Sequence, residues 1–512
     1  MTFHFRTPRS VCRVMVMVLC MLLTLTFTVT VKVNVVQGQA PLDIGSRMEL
    51  FVDDYLIESM DGVAPVLHRP TPREVVIDHN EPWEGSGCGY HTVFQDGNIF
   101  RMYYKAWQLT VRDGELLLPH DTFAAYAESD DGIHWKKPEL GLFEYNNSMK
   151  NNIVWVGPAS HDFTPFKDAN PDCQPDAVYK AIGMIGKMRE GLAAFKSADG
   201  IHWSQIGTEP IITDGAFDSQ NLAFWDTVRG EYRAYFRDFR DGQRDIKTAT
   251  SKDIVNWSEP VWLEYPGAPD EQLYTNQIKP YYRAPHIFIG FPTRYVDRGW
   301  TDSMKHLPEY EHRKLRAAVN QRYGSALTDA LFMTSRDGRT FLRHGEAFLR
   351  PGLRNTDNWA YGDNYIAWHI IETKSDIPGA PDELSLYATE SYWTGNSSLL
   401  RRYTLRIDGF VSVQAPLKGG EFITKPIIFQ GNSLVINFST SAAGSVLIEI
   451  QDTEGRPVTG FSLADCQEIF GDAIDRTVSW ANGSGVGKLA GKPVRLRFVM
   501  KDADLYSIQF RD

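Results

Sequence analysis

Five stretches of this chain of 512 residues set acidic side chains beside aromatic or amide ones at the edge of an apolar run. "EPWEGSGCGYHTVF" carries Glu81 and Glu84 around Trp83, and "FTPFKDANPD" carries Asp168. "FDSQNLAFWD" carries Asp218 with Gln220 and Asn221, and "DEQLYTNQIKPYY" carries Glu271, Tyr274 and Asn276. "NWAYGDNYIAWHIIET" carries Trp359, Tyr361 and Asp363. Polar groups entering a buried strand need partners or a task, and "FDSQN" is an unusually polar opening for a run that continues "LAFW". Converging carboxyl groups can divide the labour of acid–base chemistry. Repulsion and burial raise one pKa, while hydrogen bonds and a nearby arginine hold another low. Arg237, Arg240 and Arg294 are the arginines placed to serve. The same acids also cap turns or pair with surface lysines, so the scaffold decides between the two roles.

The scaffold announces itself through a repeat. "ESDDGIHW" and "KSADGIHW" are followed by "TSKDIVNW" and "TSRDGRTF", each after an apolar, strand-like run. A fifth run, "LSLYATES", ends on a serine without the Asp-Gly turn; the marker serines are Ser129, Ser197, Ser251, Ser335 and Ser391. Their spacing suits four short strands per unit. Within the phrase, aspartate accepts from backbone amides two residues on, glycine supplies positive φ, and the aromatic residue starts the next strand. These aspartates, Asp131 among them, are therefore turn builders, their carboxylates engaged by backbone N–H groups.

The expected fold is all-β: a five-bladed β-propeller over residues 41–410 followed by a C-terminal β-sandwich over residues 411–512. Ring closure is assigned to "MELFVDDYLI" pairing in the first or last blade. An insertion over about 296–328 breaks the blade pattern, with a helix expected after Pro308; its length suits a lid, a site wall or an oligomer contact. In the last hundred or so residues, alternation at Val446, Ile448 and Ile450, and again at Val494, Leu496 and Phe498, marks half-buried strands.

Residues 1–40 carry Arg6, Arg9 and Arg13, an apolar run, and small residues at Gly38 and Ala40, the layout of a signal peptide cleaved after Ala40. An uncleaved membrane anchor is the alternative, given the length of the run. Cleavage leads to a secreted or periplasmic protein with no membrane attachment. It would remove four basic residues, taking Lys and Arg from 53 to 49 against 64 acidic residues, a net charge of −15. Such a chain has no general affinity for nucleic acid. Cys88, Cys173 and Cys466 then remain, too few and too scattered for a disulfide framework or metal-ligand spacing.

The blade phrase, the five units and the C-terminal strands together resemble the glycoside hydrolases of the family 32 and family 43 type, and the turn phrase is similar to the sialidase Asp-box. The resemblance implies a carbohydrate substrate and catalytic carboxylates at the starts of the innermost strands, facing a funnel at the propeller axis. Carried over blade by blade, it points first to Asp218 and Glu271, then to Glu84 and Asp363, with Asp168 as a modulator. Trp83, Gln220, Asn221, Arg237, Tyr274, Asn276, Arg294, Trp359 and Tyr361 would contact substrate. Which carboxyl acts as acid and which as base stays open. No metal is expected from His91 or His369, and an axial calcium ion is left open. The expected function is hydrolysis of glycosidic bonds from a chain end. The alternatives are a non-catalytic carbohydrate-binding propeller and another reaction, phosphorolysis or elimination, on the same scaffold.

Overall fold

The computed structural model describes residues 40–356 and 358–512, so the leader-like segment lies outside the described residues. Five antiparallel sheets follow one another, each with four strands in order, and the first has a fifth, Ile153–Val156, paired with Phe123–Ser129. Blade 1 runs Gly89–Asp96, Ile99–Ala106, Phe123–Ser129 and Trp135–Lys136. Blade 2 runs Thr164–Lys167, Tyr179–Met184, Leu192–Ser197 and Ser204–Ile206. Blade 3 runs Leu222–Asp226, Glu231–Arg240, Gln243–Ser251 and Val261–Trp262, and blade 4 runs Lys279–Tyr281, Ala284–Gly290, Met333–Ser335 and Leu342–Arg343. Blade 5 takes Ile371–Thr373, Glu383–Glu390 and Leu399–Leu405, and its outermost strand is Thr71–Asp78 from the N-terminal side. The fold is the all-β five-bladed propeller with a C-terminal sandwich.

Two strand assignments differ from expectation. Ring closure belongs to "TPREVVID", not to "MELFVDDYLI", whose Glu49–Leu50 pairs with Arg495–Arg511 in the sandwich. The strands Ile57–Asp61 and Ala64–Leu67 join that sheet too, so the sandwich recruits chain from before the propeller. Alternation alone cannot say which sheet a strand joins, because either buried face satisfies it. The run "LSLYATES" is the second strand of its blade, whereas the other phrases follow third strands; after the third strand of blade 5 stands Asp408-Gly409. Asp408 is buried and accepts from Tyr281 Oη and Arg283, tying blade 4 to the sandwich.

The repeated turns are built as their chemistry requires. Asp131 Oδ1 accepts from the N–H groups of Ile133 and His134 at 2.8 Å each, and Ser129 Oγ accepts from Gly132 N–H at 2.9 Å. The same bonds recur at Ser197/Asp199, Ser251/Asp253 and Ser335/Asp337. Each glycine carbonyl also receives a tyrosine hydroxyl from the preceding blade: Tyr103 to Gly200 and Tyr235 to Gly338, both at 2.8 Å, and Tyr387 to Gly132. A Cβ at Gly200 would meet the Tyr103 hydroxyl at 2.8 Å, so the clasp needs glycine for closeness as well as for its φ of +79°. The third turn has Ile254 in the glycine place, and blade 2 offers Ile182 in the tyrosine place; both are buried in one apolar cluster. Hydrogen bond and apolar contact thus substitute for one another as a pair.

At the axis the inner strands are locked together. Gln220 Nε2 donates to the carbonyls of Tyr90 and His91 and to Thr92 Oγ1, and its Oε1 accepts from Gln277 at 2.7 Å. Fully buried Trp368 donates its indole N–H to Ile278 O at 3.0 Å and packs against Phe166 and Phe224. This layer joins inner strands of different blades, and a pocket lies where residues at or before the starts of inner strands converge.

In the sandwich, Ser433–Gln451 pairs along nearly the whole of Arg495–Arg511. Val446, Ile448 and Ile450 face the core with Leu496, Phe498 and Trp480, as their alternation predicts. In blade 4 the hairpin continues past its sheet as Thr293–Asp297 and Ala326–Ala330, and its tip carries helices Asp302–Lys305, Tyr310–Val319 and Arg322–Ser325. No helix among the described residues is long and apolar enough to cross a membrane.

Candidate functional site

The axial pocket has a cavity volume of about 100 Å³. Gly89, Tyr90, His161, Asp218, Tyr274, Tyr361 and Tyr365 reach it from segments at or before inner strands, and Lys105, Trp107 and Thr389 from the second strands of blades 1 and 5 or just beyond them. Arg322 and Tyr323 come from the blade 4 insertion, which supplies one wall. Tyrosine and tryptophan faces dominate, an arrangement suited to stacking on flat apolar faces while leaving hydroxyls free to hydrogen-bond.

Asp218 is the carboxylate of this pocket among the described residues, with its side chain 40% exposed and Arg237 at 3.9 Å. Lys105 is the second titratable group. Its residue is 4% exposed, no carboxylate among the described residues lies within ion-pair distance, and its ammonium sits 4.5 Å from the Tyr90 ring and 4.7 Å from Trp107. Burial pulls its pKa down to about 8, partly offset by the charge of Asp218. His161 is held neutral by burial, with the positive charges of Lys105 and Arg237 acting the same way. Tyr361 donates to the Tyr274 hydroxyl at 3.0 Å, fixing two rings at a T-shaped angle. Four buried polar atoms of lining residues have no partner among the described residues: Trp107 Nε1, His161 Nδ1, Tyr365 Oη and Thr389 Oγ1.

The other expected carboxylates lie elsewhere. Glu84 is fully buried, where it takes Lys137 at 2.6 Å, the Tyr104 hydroxyl and the Glu81 N–H. Glu271 is bound by Arg294 at 2.7 Å and by Arg343, beside a separate outer groove that Arg294 and Trp359 also line. Asp363 lies behind the pocket wall, accepts from Tyr392 N–H at 2.8 Å, and is pushed up to about 8 by burial. Asp168 sits at the far end of its inner strand, on Lys180 and Tyr232. Trp83 donates to Asn152 at 2.7 Å within blade 1, away from the pocket.

Of the remaining expected contacts, Tyr274 and Tyr361 line the pocket and Arg237 lies directly behind Asp218. Gln220 belongs to the axial lock. Asn221 holds Asp162 at 2.6 Å, and Asn276 bonds to Tyr235 O. The buried His91 pairs with His79 at 3.0 Å, and His369 with Lys279 at 2.7 Å.

Lys105, His161 and the tyrosines Tyr90, Tyr365 and Tyr392 are not among the residues the sequence singles out, yet two had signals. "HDF" before Thr164 is the blade 2 counterpart of "FDSQN", polar residues immediately ahead of an inner strand. Lys105 stands five residues beyond Phe100, the partner of Ser129, as Arg237 stands five beyond Tyr232, the partner of Ser251. The two cations therefore share one register position in blades 1 and 3.

No family model matches the chain. Two uncharacterized proteins of Mycobacterium tuberculosis, from strains CDC 1551 / Oshkosh and ATCC 25618 / H37Rv, are each 30% identical over 175 residues, 33% of this chain and 48% of theirs. The chain thus spans about half the length of the curated relatives it matches. Among solved structures it is similar to an N-acetylgalactosamine deacetylase from F. plautii in complex with blood group B trisaccharide, with TM-score 0.43 and 12% identity over 68% of this chain and 96% of that one. It is also similar to the Bombyx mori GH32 β-fructofuranosidase, with TM-score 0.37 and 9% identity over 86% and 95%. A third is the catalytic domain of the Coprinopsis cinerea GH62 α-L-arabinofuranosidase, with TM-score 0.39 and 10% identity over 66% and 99%.

Proposed function

We propose that this chain is an exported glycoside hydrolase that takes the end of a glycan into the axial pocket and cleaves its terminal glycosidic bond. The observation that carries this reading is the pocket's composition: an aromatic box that, among the described residues, holds one accessible carboxylate and a lysine without an ion-pair partner. Aromatic faces stack on the apolar face of a pyranose, and tyrosine hydroxyls suit its hydroxyls. Asp218 takes the proton of the attacking water, and Lys105, protonated at neutral pH, gives a proton to the departing glycosidic oxygen. Solvent then carries the proton from Asp218 back to the amine. This assignment replaces the paired carboxylates of ordinary glycoside hydrolysis with a carboxylate and an ammonium.

The single carboxylate favours one second reading, a pocket that binds a glycan end without cleaving it. Both are tested by incubating the protein with an oligosaccharide panel and weighing the products. Turnover that falls at least ~100-fold in Asp218→Asn, with melting unchanged, supports hydrolysis. Full turnover in that variant removes Asp218 from the mechanism, and binding without product supports the second reading.

A further inference from the structure

Several buried or half-buried cations elsewhere in this molecule come with carboxylates: Arg402 with Glu74, Arg343 with Glu271, Lys180 with Asp168, Lys137 with Glu84, and Lys247 with Asp238, whereas Lys279 is held against His369. Around the axial pocket that pairing breaks down. Lys105 lies against the rings of Tyr90 and Trp107, with no carboxylate among the described residues within ion-pair distance. Arg322 reaches the hydroxyls of Tyr361 at 3.5 Å and Tyr323 at 3.4 Å, and no carboxylate among the described residues lies within ion-pair distance. Arg313 and Arg316, buried on the helix behind that wall, bond backbone carbonyls of Pro308, Asn358 and Trp393, with no carboxylate among the described residues within ion-pair distance. Arg244 faces the back of Tyr274 at 5.2 Å and donates to the neutral Gln272.

This is not a shortage of acids, since the chain carries 64 acidic against 53 basic residues. Uncompensated cations in a low-dielectric setting are costly and make a strong field for an anion. Asp218, the one lining carboxylate, is already shared with Arg237.

We infer that the pocket selects a sugar carrying a carboxylate, a uronic acid residue, with Lys105 and Arg322 as the groups that recognise the acid. The guanidinium fork of Arg322 matches the two oxygens of a carboxylate, Lys105 supplies a point charge, and the tyrosine faces take the ring. The inference rests on the reading of this pocket as a glycan-end site, but it concerns recognition and not cleavage.

The test is calorimetric titration of the full chain with methyl glycosides of glucuronate, galacturonate and mannuronate, each against its neutral parent sugar and its 6-sulfate. At least one uronate is expected to bind about tenfold or more tightly than its neutral parent, with the contrast shrinking in high salt. Lys105→Met and Arg322→Gln should lose the contrast while still binding the neutral sugar weakly. Equal affinities across every uronate–neutral pair overturn the inference, as does a contrast that survives both substitutions. Preference for the sulfate esters overturns it in favour of sulfated sugars, and no binding of any glycoside overturns it together with the glycan-end reading. Uronate binding without cleavage removes hydrolysis and leaves the inference standing. Cleavage of neutral glycans alone does the reverse.

Discussion

Replacing Lys105 by methionine should make the protein more stable and less able to bind. The lysine's pKa falls from 10.5 to about 8 because its ammonium is buried among rings. One unit corresponds to about 1.4 kcal/mol, so holding the charged form in the pocket costs on the order of 3 kcal/mol at neutral pH. The sign follows from proton counts. Between about pH 8 and pH 10.5 the unfolded chain holds the proton that the folded one has lost, so wild-type stability rises with pH across that window. Below pH 8 both states are protonated and the full penalty stands. Methionine keeps the unbranched stem without the charge. The variant should therefore melt above the wild type at pH 7, and the difference should close by about pH 10.5. Thermal melting of both proteins at pH 7, 9 and 10.5 measures this directly, other titrating groups being common to the two. A variant that melts below the wild type at pH 7, or a difference indifferent to pH, would refute the claim that this ammonium is uncompensated.

Asp363→Asn should stabilise the fold in the opposite pH sense. Its folded pKa is raised to about 8, so wild-type stability falls as pH climbs towards 8, and the variant's advantage at pH 8 should exceed that at pH 5 by up to about 4 kcal/mol, read from denaturant midpoints. Glu271→Gln should leave any turnover unchanged yet cost about 3 kcal/mol of stability, because Arg343, at 2% side-chain exposure, loses its counter-charge. Tyr235→Phe should cost about 1.5 kcal/mol and Tyr103→Phe less: the Gly200 carbonyl keeps the Trp203 indole as a second donor at 3.1 Å, whereas the Gly338 carbonyl keeps only a long bond from Arg233.

The blades were legible because their turns repeat a phrase whose every residue has a local job, and local jobs can be read without knowing the fold. Asp218 was legible for a related reason: "FDSQN" is polar where a strand should be turning apolar. Glu84, Glu271 and Asp168 carry the same look. Their partners (Lys137, Arg343 and Lys180) come from other strands or turns, and only the folded ring reveals that these acids are already engaged. Lys105 was hidden inside an apolar strand whose register became readable only after the serine pairings were known. Of the tyrosine wall, Tyr274 and Tyr361 were legible beside their acids, but Tyr90, Tyr365 and Tyr392 were not, because nothing local distinguishes a tyrosine that faces a pocket from one that fills a core.

The strand Thr71–Asp78 completes a blade whose other strands end at Leu405, and Glu49–Leu50 waits for Arg495–Arg511. On a ribosome adding about 5–20 residues per second, the first of these partners follows roughly 15–65 s after the strand that needs it. During that interval blades 1 to 4 can assemble in order while the N-terminal strands stay unpaired, their edges open to other chains. Ring closure thus waits for synthesis to pass Leu405, and the pairing of Glu49–Leu50 in the sandwich waits for Arg495–Arg511. A chain stopped near residue 410 would leave the ring closable but Glu49–Leu50 without its partner, so such fragments should aggregate even though every blade is present.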